Sequence, residues 1–314
     1  MSARPDPTPS QEAKWLGLVA ATAGVAGAVG VIGAAAGAGF VTLLKRQAAH
    51  ARDVIGKPLG ETAPDADKTY KKTYGGTPVE LLLLGDSIAA GLGAETPKGT
   101  LGARLAKGIA KRTERPVRLR TEAVVGAETS MVAEQVAGLP PTYRPDVAVV
   151  IVGGNDVTHR VPASESVADL VEIVSTLRER GAQVVVGTCP DVGAVRPLPQ
   201  PLRTLGRRVA RQLAERQAEG ALAAGAHVVS LAEVVGPFFI TNPDEMFSID
   251  RFHPSAAGYK RTAKAMLPSV LAALGYVEEV PFGHLLPISE PVPEAAADDP
   301  EPDNPGRSGR STRE

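Results

Sequence analysis

An α/β fold, with a parallel sheet covered by helices on both faces, is what the sequence predicts between about residues 78 and 280. Three observations carry this expectation. Short runs rich in leucine or β-branched residues recur at 79–84 (VELLLL), 117–121 (VRLRT), 146–152 (DVAVVIV), 183–187 (QVVVG) and 227–231 (HVVSL). The central runs are apolar throughout, which is the pattern of strands covered on both faces. Between the runs lie segments with a 3.6-residue period, and strands alternating with such helices argue for a parallel sheet of about five strands.

Taken in order, each strand candidate is bounded by Gly, Pro or Asp. The four leucines of the first run stop at Gly85, the second follows Pro116, and the third lies between Asp146 and Gly153. Such residues punctuate structure because they favour turns over ladders. The helix candidates are 98–113, 129–138, 164–180, 202–224 and 255–274. The clearest is 164–180, where Val167, Leu170, Val171, Val174 and Leu177 share one face. No internal repeat is evident. In open parallel sheets the ligand site lies beyond the carboxyl ends of the strands, so those ends are where chemistry is sought.

Composition narrows the function class. The chain has 314 residues, 43% of them hydrophobic and 22% charged, with a formal net charge of −1. That balance is ordinary for a globular protein and offers no electrostatic case for nucleic acid as a partner. Cys189 is the single cysteine, which rules out an intramolecular disulfide and disfavours a thiolate metal site. The five histidines are scattered without an HxxxH or HExxH pair, so a structural or catalytic zinc site is disfavoured.

The ends read differently from the middle. After a short flank of residues 1–14, Trp15 to Leu44 runs without a charge and is long enough to cross a bilayer as a helix. Gly24, Gly27, Gly30 and Gly33 recur every three positions, which suits close packing in a membrane. This predicts a membrane anchor or an export signal, with the domain anchored or exported and its orientation open. Residues 45–77 read as a linker, and residues 281–314, above all the Pro- and acid-rich 288–314, as a disordered tail.

Three strand ends and one late histidine carry candidate chemistry. Gly85-Asp86-Ser87 ends the first strand, Gly126 lies in the connection after the second, and Gly153-Gly154-Asn155-Asp156 ends the third. Asp250 and His253 stand three residues apart near the start of the last helix. Each has a structural explanation alone: Asp86 and Ser87 could cap a helix, the glycines and Asn155 could form a turn, and Asp250 could charge a helix N-terminus. Together they have a chemical logic. A serine hydroxyl becomes a nucleophile when a base takes its proton, and a base works best when a third group orients it. Asp250 could hold one nitrogen of His253 while the other faces Ser87. The backbone N–H groups of Ser87 and Gly126 and the side-chain amide of Asn155 would suit the negative charge that develops on an attacked carbonyl.

The blocks GDSIAAG, VVGAET, GGND and DRFHPS, in that order over residues 78 to about 278, resemble those of the SGNH hydrolase (GDSL-like esterase/lipase) superfamily. The layout looks closest to its membrane-anchored actinobacterial members. The resemblance implies a flavodoxin-like three-layer α/β/α fold and hydrolysis of a carboxylic acyl ester through an acyl-serine intermediate, without a metal or organic cofactor. It also implies Ser87 as nucleophile, His253 as base, Asp250 as its orienting acid, and an oxyanion hole from Ser87, Gly126 and Asn155. Two departures stand out. The chain reads GDSI for GDSL, and Ala123 occupies about the place where the second block often carries asparagine. Asp86 matches no triad position and is expected to bond backbone amides in its turn.

Two other readings stay open at this point, a non-catalytic SGNH-like binding module and an acyltransferase using the same triad. The segment 189–217 should lie near the site mouth. Its Arg203, Arg207, Arg208 and Arg211 could meet an acidic head group or form a solvated helix face, and Pro197, Leu198, Pro201, Leu202 and Leu205 could wall an acyl pocket. His159, His227 and Cys189 read as loop, strand and packing residues.

Overall fold

The computed structural model describes residues 32–287, with the side chains of residues 32–38 excepted. Its first element is a helix, α1 (Ile32–Ile55), followed by a short edge strand β1 (Thr69–Tyr70). Strand β2 (Val79–Gly85) leads through a one-turn helix α2 (Ser87–Ala90) to α3 (Leu101–Thr113), β3 (Val117–Thr121) and α4 (Thr129–Ala137). Then come β4 (Val147–Ile151), α5 (Gly154–His159), α6 (Ala163–Glu179), β5 (Gln183–Gly187) and α7 (Leu202–Ala223). The chain closes with β6 (His227–Val229), three short helices α8 (Leu231–Val234), α9 (Gly236–Thr241) and α10 (Pro243–Met246), the long helix α11 (Ala256–Ala273), and β7 (His284–Leu285).

The sheet order is β1-β3-β2-β4-β5-β6-β7. Its five inner strands run parallel, as the sequence predicts. The two-residue strands β1 and β7 add antiparallel edges, so the sheet is mixed and has seven strands. The parallel strands are ordered second, first, third, fourth, fifth along the chain, which is the flavodoxin-like doubly wound arrangement. The order reverses between β2 and β4, and the crevice beyond the carboxyl ends of these strands is the place where such folds bind ligands.

The leucine run of β2 explains the three layers. Successive side chains of a strand face opposite sides. Leu81 and Leu83 therefore enter one core with Leu101, Leu105 and Ile109 of α3 and Met266 and Val270 of α11. Leu82 and Leu84 enter the other with Val132 and Val136 of α4, Leu170, Val174 and Leu177 of α6, and Ala221 of α7. Burying a leucine fully is worth about 1.5–3 kcal/mol, so a strand with four of them needs cover on both faces.

Two boundaries differ from the sequence reading. Helix α1 continues without a break from the charge-free run into residues 45–55, because the alanines and long polar residues after Leu44 are good helix formers. Leu44 and Ala51 are buried, and the amide of Gln47 bonds the carbonyl of Gln200 (2.6 Å) and the N–H of Leu202 (3.3 Å), so this helix docks on the loop before α7. At the other end, β7 falls inside the expected tail and pairs with β6. Among the described residues, no helix is long and apolar enough to cross a membrane. Residues 15–31 of the expected span and residues 288–314 of the expected tail lie outside the described residues.

Candidate active site

The site begins with the glycine that ends β2. Gly85 has φ +127°, and a Cβ placed there would fall 1.8 Å from the carbonyl oxygen of Ile151 on β4. Only glycine fits, and the chain turns sharply out of the sheet. Asp86 then caps α2: its Oδ1 accepts the N–H of Ile88 at 2.9 Å. The structural expectation for Asp86 and the chemical one for Ser87 therefore coexist. The aspartate caps the helix, and the serine at its first position points toward His253.

His253 faces Ser87 with Nε2 3.0 Å from Oγ. Its Nδ1 lies 2.6 Å from Oδ2 of Asp250. The Asp250–His253 pair sits in a tight turn ahead of α11, which Ser255 caps by accepting the N–H groups of Ala257 and Gly258. Within that turn Oδ1 of Asp250 accepts the N–H groups of Phe252 and His253, each at 3.0 Å. One carboxylate thus fixes the loop with one oxygen and the imidazole with the other. The ring of Phe252 meets that of His253 edge-on at 4.8 Å, adding a wall.

Electrostatics separates the two acids. Burial alone would raise the pKa of Asp250, but the hydrogen bonds from the His253 ring and from the two backbone N–H groups outweigh it and hold the carboxyl below its ordinary range. Asp250 is therefore held as an anion beside the His253 ring. Asp86 goes the other way. Burial pushes it up to about 7, with the nearby Asp156 raising it and the Ile88 N–H and His253 lowering it.

Gly126 and Asn155 come from the neighbouring strand ends. Gly126 has φ +83° in the loop after β3, and nothing lies within 4 Å of the place a Cβ would take, so its backbone faces open space. Asn155 stands in the first turn of α5, and its Nδ2 donates one bond to the carbonyl of Ala127 at 3.0 Å. A carboxamide has two N–H donors, so one remains. Among the described residues, neither the N–H of Ser87 nor that of Gly126 is engaged elsewhere. The buried Asp156 accepts the N–H of Thr129 at 3.1 Å, which locks the start of α4 to α5 and sets the Gly126 loop beside Asn155. Ala123 packs against the core from this loop.

The remaining candidates take structural places. His159 ends α5, exposed, with Nδ1 2.9 Å from Oε1 of Glu128. His227 is buried in β6, and Cys189 is fully buried beyond β5, where burial pushes its thiol well up. From α7, Arg207 pairs with Asp191 at 3.1 Å and Arg203 bonds the carbonyls of Leu198 and Arg196, so both hold the loop before the helix. Arg208 and Arg211 lie exposed on α7. Leu198 packs against the cores, whereas Pro197, Pro201, Leu202 and Leu205 remain partly exposed. Two residues escape sequence reasoning. The carboxamides of Gln135 and Gln217 bond the backbone at the ends of β2 and of β4 and β5. A lone polar residue on an otherwise apolar helix face is the only signal they leave.

With this geometry in view, comparison with known proteins is direct. Residues 83–261 match the model of the GDSL-like lipase/acylhydrolase family. The chain belongs to that family. It is 39% identical over 259 residues to a GDSL-like esterase of Mycobacterium tuberculosis, covering 78% of this chain and 81% of that one. Among solved structures, that of TesA superposes with a TM-score of 0.52 at 22% identity, covering 62% of this chain and 99% of the other. A lipase/acylhydrolase from Enterococcus faecalis gives 0.51 at 20% identity, covering 62% and 95%. These two likenesses bear on the fold. As a GDSL-family member the protein is a carboxylic ester hydrolase of the serine type.

Proposed function

We propose that Ser87, His253 and Asp250 form the catalytic triad of this esterase, with the N–H groups of Ser87 and Gly126 and the amide of Asn155 as its oxyanion hole. The observation that carries the proposal is the unbroken chain from Ser87 Oγ to His253 Nε2 and from His253 Nδ1 to Asp250. Oγ attacks the ester carbonyl as Nε2 takes its proton, and the three N–H donors receive the oxyanion. His253 then returns the proton to the departing alcohol and leaves an acyl-serine. Water enters, His253 takes its proton, and the carboxylic acid is released as Oγ regains a hydrogen. Asp250 stays ionised throughout and stabilises the imidazolium.

Acyl esters suit the surroundings of the triad. Val124 and Ile249, on the loops that bear Gly126 and Asp250, are 48% and 74% exposed and offer apolar surface beside the site. The charge-free run Trp15–Leu44 supports a membrane-associated or exported enzyme, which fractionation of expressing cells would test.

The test is hydrolysis of p-nitrophenyl esters from acetyl to palmitoyl by wild type, Ser87→Ala and His253→Ala. Turnover by wild type, reduced at least about a thousandfold in both variants, is expected. Retained turnover in folded Ser87→Ala protein would overturn the assignment.

A further inference from the structure

Gln135 lies on α4, away from every motif, yet its side chain grips the residue two positions before Ser87. The N–H of Gly85 donates to Gln135 Oε1 at 2.9 Å, and Gln135 Nε2 donates to the carbonyl of Gly85 at 2.8 Å. The reason is topological. The register of β3 on β2 ends with Thr121 opposite Leu83, so β2 outruns its neighbour on that side just before the turn. The loop after β3 supplies two further bonds, from the N–H of Glu122 to the carbonyl of Leu83 at 2.9 Å and from the N–H of Val124 to the carbonyl of Gly85 at 3.1 Å, and no acceptor for the N–H of Gly85. The carboxamide of Gln135 fills the missing rung with a donor and an acceptor of its own, as buried backbone groups require.

The position of this grip matters because Gly85 is the most permissive residue in the segment and must be glycine. A glycine hinge immediately ahead of a nucleophile spreads the serine over many orientations unless something fixes its φ and ψ. On the β4 side the N–H of Asp86 donates to the carbonyl of Ile151 at 3.1 Å, and on the other side the fixation comes from Val124 and Gln135. Gln135 also sits two turns along the helix that leaves the Gly126 loop, and Asp156 holds the start of that helix. The grip therefore sets the serine turn against the oxyanion loop.

We propose that Gln135 is a positioning residue for Ser87, holding the Gly85 hinge so that Oγ stays in line with His253 Nε2; this rests on the reading of Ser87 as the nucleophile. A misplacement of about 1 Å at a reacting atom can cost about a hundredfold in rate, so loss of the clamp registers in turnover more than in substrate binding.

The experiment compares wild type, Gln135→Met and Gln135→Glu in full-length protein, with turnover normalised to active sites titrated by a p-nitrophenyl alkylphosphonate. Ser269→Ala serves as the stability control. It removes a buried hydrogen bond to His284 Nδ1 (2.7 Å) near the far end of α11. The methionine variant keeps the shape and loses both bonds. It should lose about tenfold or more in kcat and in phosphonylation rate, with KM within about twofold of wild type. The control should lose thermal stability with kcat per site unchanged. The glutamate variant loses the donor when ionised and regains it when protonated, so its kcat relative to wild type should rise as pH falls. Unchanged kcat per titrated site in Gln135→Met, or a wild-type pH profile in Gln135→Glu, would overturn the proposal. Should Gln135→Met not fold, the pH profile of Gln135→Glu decides alone. Mass spectrometry of the phosphonylated residue separates this outcome from failure of the Ser87 assignment, which a label elsewhere would reveal.

Discussion

The hydroxyl of Tyr259 donates to the carbonyl of Leu92 at 2.6 Å, joining the helix after His253 to the turn after Ser87. Tyr259 is fully buried and carries this bond inside the core, where its phenol stays protonated because burial pushes its pKa well up. His253 and Ser87 come from segments far apart in the chain, and this bond links those segments directly.

Tyr259→Phe should therefore cost about 1–3 kcal/mol of stability, because the Leu92 carbonyl is left buried and unpaired. Turnover should fall several-fold with KM unchanged, as the two segments drift. Chemical denaturation and steady-state kinetics on the same preparation check both. A stability loss with unaltered kcat would make the bond purely structural.

Gly93 makes a second link, by absence of a side chain. It has φ +100°, and a Cβ there would stand 2.5 Å from the Pro254 carbonyl oxygen and 3.0 Å from Cβ of His253. Gly93→Ala should push the histidine loop away and cost more than the roughly 1–3 kcal/mol of left-handed strain alone. Activity should fall well beyond what the loss of folded protein accounts for, because the displaced loop carries His253. Near-wild-type activity in Gly93→Ala would show that the loop yields without moving His253.

Asp86 gives a pH signature. Its folded pKa of about 7 lies above the ordinary value near 3.9 for an unfolded aspartate. Below about pH 4 both states hold the proton and the group contributes nothing. Between about pH 4 and 7 the unfolded chain releases the proton while the folded one keeps it, so stability falls as pH rises, and above about 7 the loss is complete. Asp86→Asn retains a good cap and removes the titration. Its stability relative to wild type should grow from pH 4 to 7 in urea denaturation. Parallel curves for the two proteins would refute the raised pKa.

Cys189 is fully buried with its thiol held protonated, chiefly by burial and then by Asp86, Asp156 and Asp191. Thiolate is the reactive form. Native enzyme should resist dithionitrobenzoate and keep full activity, and the thiol should react once denaturant unfolds the chain. Rapid labelling of active native protein would contradict the placement.

The sequence made the inner sheet legible because its central strands are apolar on both faces, β3 alternates apolar and polar residues, and its helices keep a clean period. All five strand and five helix candidates correspond to elements, with ends shifted by a few residues at most. The edges β1 and β7 escaped because two residues carry no periodicity. The short helices α8 to α10 escaped for the same reason. The proximity of Ser87, Asp250 and His253 was foreseeable because a serine, an aspartate and a histidine at strand ends and turns are distinctive residue types. Gln135 and Gln217 were not, because their meaning lies in which backbone they reach. Helix α1 passed the boundary expected at Leu44 because the break in charge is not a break in helix propensity.

Gly85 has a consequence for descent within the family. Its glycine is demanded by the carbonyl of Ile151, and the aspartate beside it by the end of a helix, so two letters of the family signature answer to architecture. A descendant that lost its serine would still be obliged to keep both. Relatives that have abandoned catalysis will thus carry most of the signature intact, and the letter that separates living enzymes from silent ones is the third.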